Sequence, residues 1–306
     1  MLNIINIWDI DRIGINIIAA TGLMFAIGLK DDLVVSTPKA KIGGEVLAIL
    51  FIVFCNCLQV NSLHGFLGIY GIPTWLSIGL IILMILTVVN SYNLIDGIDG
   101  LASVIGMSIF AVYGFIFFQA GLNFYFLVCL CLIGILLAYL RYNLSSTKKI
   151  FMGDTGSLVI GFCIGFLSLK FLAMDVSLLS NLNFKGENKI IIVGAIFFIP
   201  LFDTLRVIGV RLMDKKSPFF PDNNHIHHIL IDSGLSHFAA SLILCFLNLI
   251  IAGTLILLAT NFNSFEMILI MLLYFSFFLI LFNRLKNNIG KKIEYKSLIG
   301  VIQSLF

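Results

Sequence analysis

The sequence has few charged residues, only five prolines and only two tryptophans over its 306 positions. Charged side chains make up 11% of the chain and hydrophobic ones 60%, whereas a soluble domain carries about 25% charged residues. No water-soluble fold can bury so much apolar surface, so a soluble protein is excluded and lipid is the expected solvent. A formal net charge of +3 without a basic patch also argues against a nucleic-acid partner.

No proline- or serine-rich linker and no fixed repeat divides the chain. We therefore interpret residues 1–306 as a single integral membrane domain. Six cysteines lie in or beside apolar runs, and four of them form the pairs Cys55-x-Cys57 and Cys129-x-Cys131. Residues two apart on a helix point to different faces, so we interpret these cysteines as small buried hydrophobic residues rather than metal ligands.

Nine apolar runs approach the length of about 20 residues that a helix needs to cross a bilayer. The predicted fold class is therefore all-α, a polytopic transmembrane helical bundle. Pro200 lies within one run and predicts a kink or break there, because proline removes a helix hydrogen bond. The candidate spans are 13–29, 43–61, 73–91, 100–119, 122–140, 156–174, 189–210, 238–260 and 264–283.

The distribution of basic residues orients these spans. With the amino terminus outside, fifteen of the 19 lysines and arginines fall on the inner side, as the positive-inside rule requires. This bias predicts a multi-pass protein of the cell (inner) membrane whose carboxyl terminus is cytoplasmic.

Four polar clusters interrupt the apolar runs: Asp31-Asp32, Asn90 to Asp99, Gly153 to Ser157, and Asp203 to His228. Two predicted spans separate each cluster from the next. An even number of crossings returns the chain to the same side, so all four clusters are expected to meet at the cytoplasmic face.

Acidic residues at the edge of a membrane are costly and mark functional sites. The acids of the four clusters cannot all be ionised together without a cation, and carboxylate oxygens suit Mg²⁺, with Mn²⁺ as an alternative. Together with basic side chains such as Lys39, Arg206 and Arg211, they provide what phosphoryl transfer requires. The acids are Asp31, Asp32, Asp96, Asp99, Asp154 and Asp203.

Each cluster taken alone has a plainer interpretation. Asp31-Asp32 is compatible with a solvated loop, the two Asp-Gly pairs with tight turns, and Asp154 with a helix cap. Asp203 and Arg206, three apart on a helix, can simply pair with each other. Their joint occurrence on one face favours the functional interpretation.

Four motifs, in order, make the chain resemble the polyprenyl-phosphate N-acetylhexosamine-1-phosphate transferase superfamily. They are GLKDDL at 28–33 followed by Lys39, NSYNLIDGIDGLA at 90–102, FMGDTGSL at 151–158, and SPFFPDNNHIHH at 217–228. Members of this superfamily start O-antigen, enterobacterial common antigen and teichoic acid linkage units, and one member is the phospho-N-acetylmuramoyl-pentapeptide transferase. His-x-His-His in the last motif resembles the UDP-N-acetylglucosamine-type enzymes.

The resemblance implies roles for these residues. Asp31 and Asp32 would hold or deprotonate the polyprenyl phosphate, and Asp154, with Asp32 nearby, would bind Mg²⁺. Asn93, Asp96 and Asp99 would shape the nucleotide-sugar pocket, with Phe151 and Asn143 near the uracil. Further contacts with the phosphate-rich substrate are expected from Lys39, Arg206, His225, His227 and His228.

The resemblance also implies the partners: a polyprenyl phosphate, a UDP-N-acetylhexosamine and the lipid bilayer, with a homodimer as a further option. Relatives have ten or eleven spans and the Asp-Asp helix is their third, so the chain is expected to lack the first two helices and the basic Gly-Gly loop after them. The alternatives are the pentapeptide transferase, an inactive truncated homologue and a transporter with intramembrane acids as ion sites.

Overall fold

The computed structural model describes residues 7–34, 36–54, 58–217 and 225–303. Helices dominate, as predicted, and one small antiparallel hairpin interrupts them. The elements are α1 (Ile7–Leu33), α2 (Pro38–Val53), β1 (Ser62–Phe66), β2 (Ile69–Gly71), α3 (Thr74–Ile95), α4 (Leu101–Gln119), α5 (Asn123–Asn143), α6 (Gly153–Ala173), α7 (Lys189–Ile196), α8 (Phe198–Met213), α9 (Ile226–Asp232), α10 (His237–Leu258) and α11 (Ser264–Gln303), with short 3₁₀ turns at Val176–Leu182 and Gly186–Asn188.

Seven helices of the described chain are long and apolar enough to cross a membrane, and the bent pair of α7 and α8 can supply an eighth. The protein is therefore a multi-pass helical membrane protein. With the bent pair counted as one span, the described chain has eight candidate spans, one fewer than the nine predicted. The missing one is 43–61, where α2 ends at Val53 after 16 residues, about 24 Å at 1.5 Å per residue and less than the bilayer core.

The predicted span 43–61 is longer than the helix, because α2 ends at Val53 and the chain enters a hairpin at Ser62. Strands β1 and β2 follow α2, and His64, Gly65, Leu67 and Gly68 between and within them have positive φ angles. Such angles suit glycine in tight turns. The described residues 58–61, just before the hairpin, therefore belong to a connection and not to the second half of a membrane helix.

The predicted break in the span at 189–210 is confirmed. Helices α7 and α8 meet at an angle of 72°, with Phe197 between them and Pro200 in the first turn of α8, where a missing N–H is tolerated. The buried side chain of Asn248 on α10 spans the break: its Oδ1 accepts from Ile199 N at 3.0 Å and its Nδ2 donates to Ile196 O at 2.9 Å.

Helix α6 lies at the centre of the bundle, largely buried and packed against α1 and α3. Glycines let these helices approach closely. A Cβ on Gly28 of α1 would lie 2.5 Å from the Cα of Thr155, and one on Gly161 of α6 would lie 3.0 Å from the Cα of Val89. The close packing fixes the ends of α1, α3 and α6 relative to one another, and these ends carry three of the polar clusters.

The described cysteines follow the prediction only in part. Cys129 is buried as expected, but Cys131 is exposed and Cys163 and Cys245 are partly buried; the Cys129-x-Cys131 pair diverges, and all four are free thiols. Cys55 and Cys57 lie outside the described residues, as does the part of the fourth motif from Pro218 to Asn224.

Candidate active site

The centre of the candidate site is a lysine between two aspartates. The Lys41 ammonium lies 2.9 Å from Asp31 Oδ2 and 3.1 Å from Asp154 Oδ2, and Ser36 N donates to Asp31 Oδ1 at 2.7 Å. Burial disfavours the charged lysine, but the adjoining carboxylates outweigh it and raise the pKa of Lys41 above its usual value. The lysine therefore stays charged and joins the first and third clusters.

Lys41, and not Lys39, is the lysine of α2 that contacts the carboxylates. Both residues lie in the first turn of α2, but Lys39 is exposed whereas Lys41 faces the carboxylates. Residues two apart on a helix point in different directions, so Lys41 contacts these carboxylates and Lys39 does not. A substrate contact of the exposed Lys39 stays a prediction.

Asp32 holds the start of α6. Its carboxylate accepts hydrogen bonds from Asp154 N at 2.8 Å, from Thr155 N at 3.0 Å and from the Thr155 hydroxyl. Gly153 has a φ of +63°, and a Cβ there would lie 2.8 Å from the Asp32 carboxylate. The resemblance implied that Asp31 or Asp32 lies near the metal. In the structure Asp31 faces Asp154 across Lys41, and Asp32 binds the first N–H groups of the helix that carries Asp154; the metal role of Asp32 stays a prediction.

Asn93 joins the second cluster to the third. Its amide donates to Asp154 Oδ1 and, at 2.7 Å, to Ser157 Oγ. One turn earlier, Asn90 donates to Glu45 at 2.7 Å, and Glu45 is fully buried. The amides of this motif therefore hold carboxylates from two other helices.

Asp96 caps the end of α3 beside the other acids. Burial first, and then the charges of Asp154, Asp99 and Asp32, raise the pKa of Asp96 to about 7. A carboxyl group with this pKa is protonated in part of the molecules at neutral pH. The region therefore has more acidic groups than its lysines compensate.

The fourth cluster is organised by Asp203 on α8. This buried carboxylate accepts from His225 Nδ1 at 2.8 Å, from Ile226 N at 3.0 Å and from the Arg206 guanidinium at 3.3 Å. Asp203 thus orients the His225 ring and caps α9. Arg206, expected to bind substrate, is buried and pairs with Asp203, which is the plainer of the two interpretations made from the sequence.

His227 is buried against the second cluster. A Cβ on Gly97 would lie only 2.2 Å from His227 Nε2. Neither ring nitrogen has a hydrogen-bond partner among the described residues, and burial is the main reason that the pKa of His227 falls to about 3. The His225 ring stacks on His227 at 5.5 Å between centroids, and the tilted His228 ring lies at 4.4 Å. The contact brings the fourth cluster to the second.

Asp99 lies at the rim of the site. Its Oδ2 is 2.7 Å from Lys149 Nζ and 3.2 Å from His237 Nδ1. Phe151 is 77% exposed, and Lys149 lies 5.2 Å from the centre of its ring. Asn143, expected near the uracil, is buried: it accepts from Gly100 N at 2.7 Å and donates to Ile150 O at 2.9 Å, so it joins two loops.

These contacts confirm that the four clusters meet at one end of the bundle. Sequence reasoning missed Lys41, Lys149 and His237 as residues of the site. In the sequence, Lys41 and Lys149 are only two of the fifteen basic residues on the predicted inner side, and His237, which begins α10, lies outside every motif. The sequence presents Asp203 as an acid of the fourth cluster and a partner of Arg206, although its position 22 residues before His225 can be read there as well.

No group of three or more histidine, cysteine or acidic side chains in the described part of the chain is arranged to hold a metal ion. The donor chemistry at Asp31 and Asp154 nevertheless fits a hard cation. Their facing oxygens already enclose the ammonium of Lys41, and the acidic groups nearby remain in excess. Mg²⁺ commonly uses one or two carboxylates together with substrate phosphates.

A bundle of apolar helices with acids, histidines and a bridging lysine at one end defines a multi-pass membrane protein with a charged site at that end. The model of glycosyl transferase family 4 matches residues 15–172, and the chain belongs to this family.

Several curated relatives are similar over much of the chain. The probable undecaprenyl-phosphate N-acetylglucosaminyl 1-phosphate transferase of Bacillus subtilis is 38% identical over 205 residues, which cover 65% of this chain and 54% of that protein. The decaprenyl-phosphate N-acetylglucosaminephosphotransferase of Mycolicibacterium smegmatis is 30% identical over 250 residues, with 74% and 59% covered. The chain thus spans little more than half the length of these two relatives.

Proposed function

We propose that the protein transfers N-acetylglucosamine 1-phosphate from UDP-N-acetylglucosamine to undecaprenyl phosphate at the cytoplasmic face of the cell membrane. An oxygen of the lipid phosphate attacks the sugar-bearing phosphorus, the bond to the UMP oxygen breaks, and the products are undecaprenyl-diphospho-N-acetylglucosamine and UMP. The observation that carries the proposal is the bridge from Lys41 to Asp31 and Asp154, in a chain whose relatives bear the names given above.

Lys41 supplies a fixed positive charge where two phosphates have to approach each other. A charged group held in place before the reaction stabilises the developing negative charge without having to reorganise. Asp31 is held by Ser36 and Asp154 by Asn93, so the geometry of the cluster is set before the substrate binds.

Positioning is a better role for Asp31 than proton removal. The second pKa of a phosphate monoester is about 6, so the lipid phosphate is mostly a dianion at pH 7. We propose that Asp31 and Asp154 would hold Mg²⁺, which would supply neutralisation of phosphate oxygens, and that Lys41 holds a positive charge beside the same carboxylates.

An apolar cavity of about 380 Å³ between α3 and the bent pair of α7 and α8 supports a lipid substrate. Its lining includes Leu80, Met84, Val193 and Leu201, and it reaches Thr87, one turn from Asn90. We propose that part of the polyprenyl chain lies in this cavity with its phosphate directed towards the carboxylates.

The test is the release of UMP from radiolabelled UDP-N-acetylglucosamine by the purified protein in lipid nanodiscs with undecaprenyl phosphate and Mg²⁺. We expect Asp31→Ala and Asp154→Ala each to abolish turnover and a chelator to stop the wild type. Asp214→Asn is the matched control, because Asp214 is a solvent-exposed acid that pairs with Lys216.

Other outcomes would contradict the proposal. Normal turnover in either alanine variant removes the role of the cluster. Transfer from UDP-N-acetylmuramoyl-pentapeptide instead identifies the pentapeptide reaction, and uptake without UMP release identifies a transporter. No UMP release under any of these conditions indicates an inactive homologue.

A further inference from the structure

Two side chains in the first turns of α10 contact Asp99. His237 Nδ1 lies 3.2 Å from the Asp99 carboxylate, and Ser241, one turn later, donates to the Asp99 carbonyl at 3.1 Å. Lys149 reaches the same carboxylate from the loop before α6 at 2.7 Å. Two segments distant in sequence, the start of α10 and the loop before α6, therefore converge on this one residue.

Both side-chain donors use the same oxygen. Lys149 and His237 contact Asp99 Oδ2, and within the described chain no hydrogen bond is made to Oδ1. A carboxylate oxygen accepts up to two hydrogen bonds, so Oδ1 keeps its full capacity for a ligand. Because the two donors come from different elements, they fix the rotation of the carboxylate and with it the direction of Oδ1.

An aromatic surface adjoins this oriented acceptor. The ring of Phe151 is 77% exposed and lies beside the Lys149 ammonium. An exposed ring offers a stacking surface to a planar base, and a fixed acceptor next to it reads an N–H group on the edge of that base. Uracil has such an N–H between its two carbonyl groups.

We infer that His237 is a positioning residue for the uridine half of the sugar donor, which it serves by holding Asp99 with Oδ1 directed at the base. This inference rests on the proposed function. His237 itself is half-exposed and contacts Asp99 Oδ2, the oxygen that is not directed at the base in this inference, so it need not touch the substrate. In the competing interpretation, the contact between His237 and Asp99 only holds α10 against the loop between α3 and α4 and has no effect on the substrate.

The experiment compares wild type, His237→Ala and His237→Asn in nanodiscs. The asparagine amide can donate from nearly the position of Nδ1, so this variant tests rescue. The measurements are the affinity for UMP by calorimetry, the KM values for UDP-N-acetylglucosamine and undecaprenyl phosphate, kcat, and the midpoint of thermal unfolding.

We expect His237→Ala to weaken UMP binding and to raise the KM for the sugar nucleotide, each about tenfold, the effect of losing one oriented hydrogen bond. The lipid KM, kcat and the unfolding midpoint should stay close to wild type. His237→Asn should recover most of the UMP affinity, and Lys149→Met should resemble His237→Ala.

Two results would overturn the inference. Unchanged UMP affinity in His237→Ala shows that Asp99 does not need the histidine, and an equal loss in stability, kcat and both KM values shows a purely structural role. A wild-type protein that neither binds UMP nor releases it contradicts the proposed function itself, and this result is distinct from the other two.

Discussion

The Gly97→Ala variant tests the contact between Gly97 of the second cluster and His227 of the fourth cluster. The added Cβ would lie 2.2 Å from Nε2, 2.7 Å from Cε1 and 3.2 Å from Cδ2 of His227, whereas ordinary contact begins near 3.4 Å. The imidazole must therefore retreat by about 1 Å. It is 1% exposed and lies in contact with the rings of His225 and His228, so its retreat has to displace buried neighbours.

Two magnitudes follow from this displacement. Overpacking a buried site lowers the free energy of unfolding by about 1–3 kcal/mol. Misplacing a group of the active site by about 1 Å lowers the rate by about 100-fold. We therefore expect a folded Gly97→Ala protein with a modest loss of stability and a large loss of turnover, measured by thermal unfolding and UMP release in nanodiscs.

Gly79→Ala on α3, the helix that precedes Gly97, is the control glycine variant. A Cβ at Gly79 has no neighbour within 4 Å, so this variant should keep full turnover and gain up to about 1 kcal/mol from the better helix propensity of alanine. Adding His227→Ala to Gly97→Ala should restore stability but not turnover. Turnover of Gly97→Ala within threefold of wild type would refute the reasoning.

Three further changes test other parts of the site. Lys41→Met leaves two carboxylates facing each other without the ammonium, and UMP release should fall by about 100-fold or more, with partial recovery at higher Mg²⁺. Asp96→Asn tests the pKa of about 7: the native state of the wild type holds more protons than its unfolded state between about pH 4 and pH 7, so its stability falls as pH rises through that window. Thermal unfolding in EDTA should show this slope in the wild type and not in the variant, and equal slopes would contradict it. Asn248→Leu leaves Ile196 O and Ile199 N buried without partners at the helix break, which should cost about 1–3 kcal/mol for each group, and an unchanged unfolding midpoint would show that the bend does not need the amide.

The meeting of the four clusters could be predicted because it depends only on helices that leave the site and return to it. The chain leaves the site along α2 and returns along α3 to Asn93, although α2 is shorter than the predicted span. The length of α2 could not be predicted in the same way, since the apolar run from 43 to 61 has the composition of a membrane span and continues beyond the end of the helix at Val53.

The choice between Lys39 and Lys41 illustrates a second limit. The sequence places both lysines just after Asp31-Asp32, but which one faces the carboxylates depends on where α2 begins. Proline at the first position of the helix fixes that phase, and Lys41 then points towards Asp31 and Asp154. A one-residue shift in the start of a helix turns each side chain by about 100°, so composition and order alone cannot decide this point.

The remaining differences share one physical cause. A polar residue at the end of a membrane helix can contact substrate, or it can supply the hydrogen bonds that the first N–H groups of another helix lack. Asp32 accepts from the first N–H groups of α6, Asp203 from the start of α9, and Asn143 from Gly100 at the start of α4. Each of the three therefore serves as a cap for a helix distant in sequence. Both roles select the same residue types at the same places, so the sequence cannot separate them. Their energies do differ, because losing such a cap costs stability, whereas Asp31, which accepts only one backbone N–H among the described residues, contributes mainly through its charge.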